Sequence, residues 1–323
     1  MIEVKKLAKR YEGGEALCGI DFEVKKGEIC AVTGTGKTTL TDIISGCIEA
    51  DAGQILICGV DLSERASEAK QHLGYAPAQP ALYEDMTPRG GMKFVADARG
   101  IGGREANDLI DEAVRRFKLK DVADTKVNAL SDGTKKIVSM AQAAFTGAEV
   151  IVIDEPTAGL NPKEILEVRE ALNKLKKDHA VLLTSMNITE MCAVADRVLV
   201  MADGKIAAEG APEEMHRLTM NDGTLRLIVK GDEAAVRAAL TGVKGAELTD
   251  MEAAEEGAFL AVLKAEKGKD IREAAFKAVC EKGLVLLQMA PGVKKLDEIL
   301  MGLTNERQAP ALEKEEAVDE GNL

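Results

Sequence analysis

Two short segments hold the residue types that handle phosphate. In the first, Ala31-Val32-Thr33-Gly34-Thr35-Gly36-Lys37-Thr38, two glycines, a lysine and a hydroxyl lie between an apolar run and a helical stretch. Glycines let successive backbone N–H groups converge on phosphate oxygens, and the start of a helix adds positive partial charge. The spacing fits a relaxed phosphate-loop pattern: Ala or Gly, four residues, then Gly-Lys-Ser/Thr. Lys37 is placed to reach the β- and γ-phosphates of a nucleotide, and Thr38 to ligate Mg2+. In the second segment, the apolar residues 150–153 end in Asp154 and Glu155. Strand tips are where open α/β sheets bind ligands. Asp154 suits a magnesium ion held through water, and Glu155 suits polarising a water for attack. Each segment alone also fits a plain turn, with an incidental lysine in one and a solvated acidic pair in the other. Together they favour nucleotide chemistry.

These residues need elements that bring them together. Residues 29–32 form a short apolar run, and residues 38–48 read as a helix. Residues 150–153 and 180–183 are continuous apolar strands, which implies burial on both faces. Between them, residues 104–118 form a charged amphipathic helix with Leu109, Ala113 and Phe117 on one face. Alternating strands and helices predict an α/β domain with a largely parallel sheet. After a break near residues 219–223 the rhythm changes. Leu225, Leu227 and Val229 alternate with polar residues, and Asp232 is placed to cap a helix through Leu240. Strand-like runs follow at 243–251 and 258–264, then a helix at 270–281 stopped by Gly283, then a run at 284–287. The order βαββαβ predicts a small α+β ferredoxin-like domain. A last helix carries Leu296, Ile299, Leu300 and Leu303 on one stripe, and the acidic stretch from Asn305 reads as a disordered tail.

Composition narrows the partners. The 323 residues carry 42 Lys plus Arg against 55 Asp plus Glu, a net charge of −13, which argues against nucleic acid. No apolar run reaches the roughly 18 residues that span a bilayer, and the first residues lack the apolar core of a secretory signal. The six cysteines form no CxxC pair and the three histidines no ligand spacing, so reduced thiols and no zinc site are expected. His72, His179 and His216 read as surface residues. The basic residues Lys5, Lys6, Lys9 and Arg10 could face anionic lipid, but more often such a run covers a sheet edge, and residues 163–178 read as a solvated helix face.

The chain resembles the ATP-binding cassette (ABC) ATPases, the cytosolic subunits of transporters. Beyond the phosphate loop and the Asp154-Glu155 pair, five stretches carry the resemblance in the family's order. Tyr11 lies where the family stacks adenine. Gln79, in Tyr75-Ala76-Pro77-Ala78-Gln79-Pro80, matches the Q-loop. Leu130-Ser131-Asp132-Gly133-Thr134 matches the LSGGQ-type motif, and Ala158-Gly159-Leu160-Asn161-Pro162 the D-loop. Asp196-Arg197-Val198 matches the stretch after the switch region. The resemblance covers residues 1–218 and implies a P-loop NTPase cassette with a helical subdomain at about 81–130. Residues 219–304 would be an accessory domain, more weakly similar to extensions of exporter-branch cassettes, and 305–323 a tail. It also implies ATP and Mg2+ as ligands. Gly34, Thr35, Gly36, Lys37, Thr38 and Thr39 would hold phosphate, Thr38, Gln79 and Asp154 the metal, and Glu155 the catalytic water. Two cassettes would pair head to tail, as a homodimer or with a sister cassette. Ser131, Asp132, Gly133, Thr134 and Gly159 would then act on the partner's nucleotide. The helical subdomain would dock on a membrane permease at the cytoplasmic face, leaving this chain a peripheral protein.

Three departures stand out. The family reads G-x-x-G-x-G-K, so Lys37 arrives about three residues early. Either Ala31 stands for the first glycine and the strand is very short, or Gly34 does and three loop residues are missing; residues 29–32 read as the strand itself, which favours the deletion. Donors would then come chiefly from residues 35–39. Asp132 stands where glycine is familiar. At 4 Å and an effective dielectric of 20, a carboxylate facing a γ-phosphate costs about 4 kcal/mol, which Lys135 and Lys136 would partly offset. Met186 stands where a histidine senses the γ-phosphate. A thioether cannot donate that hydrogen bond, a loss of about 10²–10³ in rate, unless a loop shift brings in Asn187, or Met186 is a core filler and another residue performs the task. Three functions therefore remain open. They are an ATP-hydrolysing exporter subunit, a nucleotide-binding regulatory subunit with little hydrolysis, and a soluble non-transport cassette.

Overall fold

The computed structural model describes residues 1–215, 223–255, 257–266 and 269–291. The sequence features at 219–222, the stripe from Leu296 to Leu303, the tail from Asn305, and His216 lie outside the described residues. The described residues fall into two compact units, one over 1–215 and one within 223–291.

The first unit opens with the hairpin β1 (Ile2–Tyr11) and β2 (Gly14–Val24), then β3 (Ile29–Gly34) and α1 (Lys37–Ile44). It continues through β4 (Ala52–Ile57), β5 (Val60–Asp61), α2 (Ala66–Gln71) and β6 (Leu73–Ala76) to α3 (Pro88–Ala98), α4 (Gly103–Arg116) and α5 (Asp132–Ala144). It ends with β7 (Val150–Asp154), α6 (Pro162–Lys176), β8 (Ala180–Thr184), α7 (Ile188–Cys192), β9 (Arg197–Ala202) and β10 (Lys205–Gly210). The six-stranded sheet has the order β10-β9-β3-β8-β7-β6 and is parallel except at β10. β3, β7 and β8 are buried along their whole length, as continuous apolar strands covered on both faces must be. A second, antiparallel sheet has the order β2-β1-β4-β5. One core joins the sheets, with Ile2, Leu7 and Leu17 packed among Leu40, Ile44, Val152 and Leu182.

Three expectations change. The helix after the phosphate loop ends at Ile44, not at 48, because Ser45 closes it and Gly46 turns left-handed at φ 69°. The antiparallel sheet is larger than strand–helix alternation implies. β1 is internal in it, so Lys5, Lys9 and Arg10 do not cover an edge; they pair with Glu3, Asp51 and Glu15. α4 turns Ala106, Ile110, Ala113 and Val114 inward. α6 carries a capping box between Asn161 and Glu164, and buries Val168, Ala171, Leu172 and Leu175 beneath its charged face.

The second unit runs β11 (Thr224–Lys230), α8 (Glu233–Thr241), β12 (Ala246–Glu255), β13 (Ala258–Ala265), α9 (Arg272–Glu281) and β14 (Val285–Pro291). Its sheet has the order β12-β13-β11-β14 and is antiparallel throughout. Leu225, Leu227 and Val229 are buried as their alternation requires, against Val236 and Leu240 of α8 and Ala275 and Val279 of α9. The Asp232 carboxylate accepts from the N–H groups of Ala234 and Ala235 and starts α8.

Candidate active site

β3 continues to Gly34, so only Thr35 and Gly36 precede α1. Ala31 sits in the middle of the strand, opposite Leu183 on one side and Val198 on the other. That geometry excludes Ala31 as the first loop residue and leaves a two-residue connection. Both glycines are sterically required. Gly34 has φ 98°, and a Cβ there would lie 1.9 Å from the Met201 carbonyl oxygen; Gly36 has φ 87°, with the Ala16 oxygen 2.7 Å from a Cβ. The Thr35 N–H donates to the Met201 carbonyl at 3.1 Å. This corrects the sequence expectation, since Thr35 is already committed to the fold. The donors that remain are those of the first turn of α1, which have no partner within the helix. Thr38 is exposed there and Thr39 half-buried.

The tip of β7 is more fully built. Lys37 Nζ lies 2.7 Å from Glu155 Oε1, and both side chains are largely buried. Glu155 has a left-handed φ of 42°, a strained conformation for a non-glycine residue. Its N–H donates to the Thr184 carbonyl at 2.9 Å, and its own carbonyl accepts from Lys136 Nζ. Asp154 is only 8% exposed and accepts from the Thr184 hydroxyl. Burial, helped by the Asp154 charge, raises the pKa of Asp42 on α1. Burial, then Asp154 and Asp42, push the Tyr75 phenol up to about 12. Lys136 is shifted down by burial, against the opposing pull of Glu155, Asp154 and Asp132. Two carboxylates, Asp154 and Glu155, and two lysines, Lys37 and Lys136, therefore meet at this tip.

Met186 is 55% exposed, so it is no core filler. Its backbone N–H, not its side chain, points at Glu155 Oε2, at 3.4 Å. Asn187 is occupied as the cap of α7, its side chain accepting from the Glu190 N–H. Asp196 and Arg197 fasten the start of β3: Asp196 accepts from the Ile29 N–H at 2.9 Å, and Arg197 pairs with Glu28 at 2.7 Å.

Gln79, Asp132 and Gly159 line one cleft of about 280 Å³ with Lys135 and Lys136. Ser131 caps α5 through the Thr134 N–H. Lys135 stands 3.8 Å from Asp132 and offsets its charge, whereas Lys136 turns to the Glu155 carbonyl. Gly133 has no room for a Cβ, which would meet Glu164 at 2.8 Å. The Glu164 carboxylate is shifted down by the Ser131 hydroxyl and the N–H groups of Asn161 and Gly133. It ties the LSGGQ-type segment to the D-loop segment. Tyr11 lies at the exposed end of β1, with Lys9 Nζ 5.8 Å from its ring centroid. The structure thus joins Lys37, Asp154, Glu155 and the Met186 backbone in one group, and Gln79, Asp132 and Gly159 in another.

Sequence reasoning passed over Thr184, Glu164 and Asp42, and assigned Lys136 to Asp132 and not to the Glu155 carbonyl it meets. A hydroxyl ending an apolar strand beside the acidic tip was the available signal for Thr184. The histidine reading also fails for His179. It is 5% exposed, its Nδ1 lies 2.7 Å from the Ala148 carbonyl, and burial lowers its pKa.

Residues 17–158 match the family described as ABC transporter. The Nod factor export ATP-binding protein I of Burkholderia thailandensis is 33% identical over 218 residues, 66% of this chain and 72% of that protein. The probable multidrug ABC transporter ATP-binding protein YbhF of Escherichia coli is 28% identical over 225 residues, 69% of this chain; the matched region spans 39% of YbhF. Among solved structures, cbiO1 of Clostridium perfringens, described as part of the ABC transporter complex cbiONQ, superposes with a TM-score of 0.61. It is 26% identical, covering 67% of this chain and 90% of that one.

Proposed function

This chain belongs to the ABC transporter ATP-binding proteins, and from that membership we propose that it hydrolyses Mg-ATP to power export through a separate membrane permease. The observation that carries the reading is the meeting of Lys37 and Glu155 at 2.7 Å, across the tips of β3 and β7. A γ-phosphate arriving at α1 competes with Glu155 for Lys37. The released carboxylate is then free to take a proton from the attacking water, as a general base does. The buried Asp154 carboxylate offers hard oxygen, and burial, with a smaller contribution from its charge, raises the pKa values of Asp42 and Tyr75. Asp154 and the Thr38 hydroxyl would hold Mg2+, and the Gln79 amide, which lines the neighbouring cleft, would join them once nucleotide is bound. That ion supplies charge neutralisation on the phosphate oxygens.

Tyr11 stacks on adenine in this reading. Ser131, Asp132, Gly133, Thr134 and Gly159 close over the nucleotide of a second cassette in a homodimer. Residues 81–130 dock on the permease at the cytoplasmic face, and the second unit, described within residues 223–291, is a ferredoxin-like accessory domain. Among the described residues no helix is long and apolar enough to cross a membrane. The relatives' names, Nod factor export and multidrug transport, support export as the direction of transport.

A second reading, a regulatory subunit that binds ATP and hydrolyses little, is favoured by the committed Thr35 N–H and the outward Met186 side chain. Phosphate release by the purified chain and its Glu155→Gln variant separates the two. The first reading expects turnover to fall about 10²–10⁴-fold with binding retained. Equal turnover in both proteins removes Glu155 from the mechanism. Binding without turnover in the unsubstituted chain selects the regulatory reading.

A further inference from the structure

At the other end of the parallel sheet, three residues far apart in sequence come together. The ligand-capable atoms of Cys58, His72 and Glu149 all lie within 4.8 Å of one another, and all three residues are half-buried. His72 Nδ1 stands 3.0 Å from Glu149 Oε2. A second sulfur is adjacent: Met1 Sδ lies 3.7 Å from Cys58 Sγ. The positions are held by the fold. Cys58 and Gly59 form the two-residue turn between β4 and β5, both with positive φ, and the Cys58 N–H donates to the Met1 carbonyl at 2.7 Å. Asparagine or glycine is the usual choice for the first place in such a turn. His72 closes α2, and its carbonyl accepts from the Val150 N–H at 3.0 Å. Glu149 directly precedes β7.

We propose that Cys58, His72 and Glu149 bind a borderline-soft divalent ion such as Zn2+. Thiolate, imidazole and carboxylate are the donor types such an ion takes, at about 2.0–2.3 Å each, which sets donors roughly 3.3–3.8 Å apart around a tetrahedron. The His72–Glu149 spacing is already near that range, and partly exposed side chains close the rest by turning. The ion displaces the Cys58 thiol proton to solvent. Three protein ligands leave a fourth position, with the Met1 thioether next to it. The site is distinct from the nucleotide site: the strand advances five steps from Glu149 to Asp154, about 16 Å at 3.3 Å per residue. It joins the turn of the antiparallel sheet to two strands of the parallel one, so the ion acts as a staple between the two sheets. Motif spacing does not reveal it because the three ligands come from three separate elements.

Cobalt(II) reports the ligand set directly. The reduced, metal-free full chain is titrated with Co2+ alone, then with Zn2+. One equivalent of Co2+ is expected to give a thiolate-to-cobalt charge-transfer band and four-coordinate d–d bands, both erased by one equivalent of Zn2+. Cys58→Asn, which suits the turn and keeps the fold, abolishes the charge-transfer band. His72→Ala and Glu149→Gln weaken binding at least about tenfold. Absence of a charge-transfer band, or a band that survives Cys58→Asn, overturns the proposal.

Discussion

The tips of β3 and β7 flank β8 and face the same chemistry, yet they are built to different standards. At the β7 tip, Asp154 is held by Thr184, and Glu155 is held by Lys37, Lys136 and three backbone contacts. At the β3 tip the chain crosses to α1 in two residues, and the Thr35 N–H is spent on Met201. The carboxylates are placed by strand register, which a lost loop residue does not disturb. Phosphate recognition depends on a run of free backbone N–H groups, and so on chain length.

Restoring that length is the strongest way to break the comparison. Inserting three residues that include a glycine between Gly34 and Thr35 adds about two N–H donors to charged oxygens, each worth about 1.5–3 kcal/mol before ordering costs. Calorimetry should show Mg-ATP affinity rising about 10²-fold; an unchanged affinity means the short loop is not the weak tip. Met186→His comes next. It supplies a donor toward the reacting phosphate and should raise phosphate release at saturating Mg-ATP at least about tenfold, a fraction of what such donors give when ideally placed. No gain would show that the outward side chain cannot reach the site.

Two glycines sharpen the same contrast in stability. Gly34→Ala drives a Cβ into the Met201 carbonyl at a positive φ, and denaturant unfolding should show a loss of about 2–4 kcal/mol. Gly159→Ala has the positive φ but nothing within 4 Å, and should cost about 1–2 kcal/mol. The smallest effect lies away from both tips. Burial lowers the His179 pKa below its ordinary 6.5, so the native state holds the neutral ring. The unfolded chain binds the extra proton first. The contribution is therefore present above pH 6.5 and is lost as pH falls through the folded-state pKa, with a slope of at most about 1.4 kcal/mol per pH unit. His179→Gln should flatten that limb in denaturant titrations and leave Mg-ATP binding unchanged.

Much of this was legible because the informative residues are local. Gly34, Gly36 and Lys37 sit in one loop, and Asp154-Glu155 end a strand whose apolar run announces its burial. The alternation of Leu225, Leu227 and Val229, and the cap at Asp232, defined the second unit for the same reason. The rest depends on which strands become neighbours. Thr184 reaches Asp154 only because β8 pairs with β7, and Lys136 reaches Glu155 only because α5 packs beside that tip. Periodicity carried the helix at residues 38–48 past its true end because Gly46 breaks it through backbone angle, which an apolar pattern does not register. His179 looked polar in sequence, yet one carbonyl partner, Ala148 on the loop before β7, lets it sit in the interior.

The central claim is that Lys37 leaves Glu155 to hold the phosphate of Mg-ATP despite the shortened loop. It is tested most directly by titrating Mg-ATP into the full chain and into Lys37→Ala. The account predicts saturable single-site binding that weakens at least about tenfold in the variant, the loss of one charge-assisted hydrogen bond or more. Affinity indifferent to Lys37→Ala, or no binding by the unsubstituted chain, would contradict it.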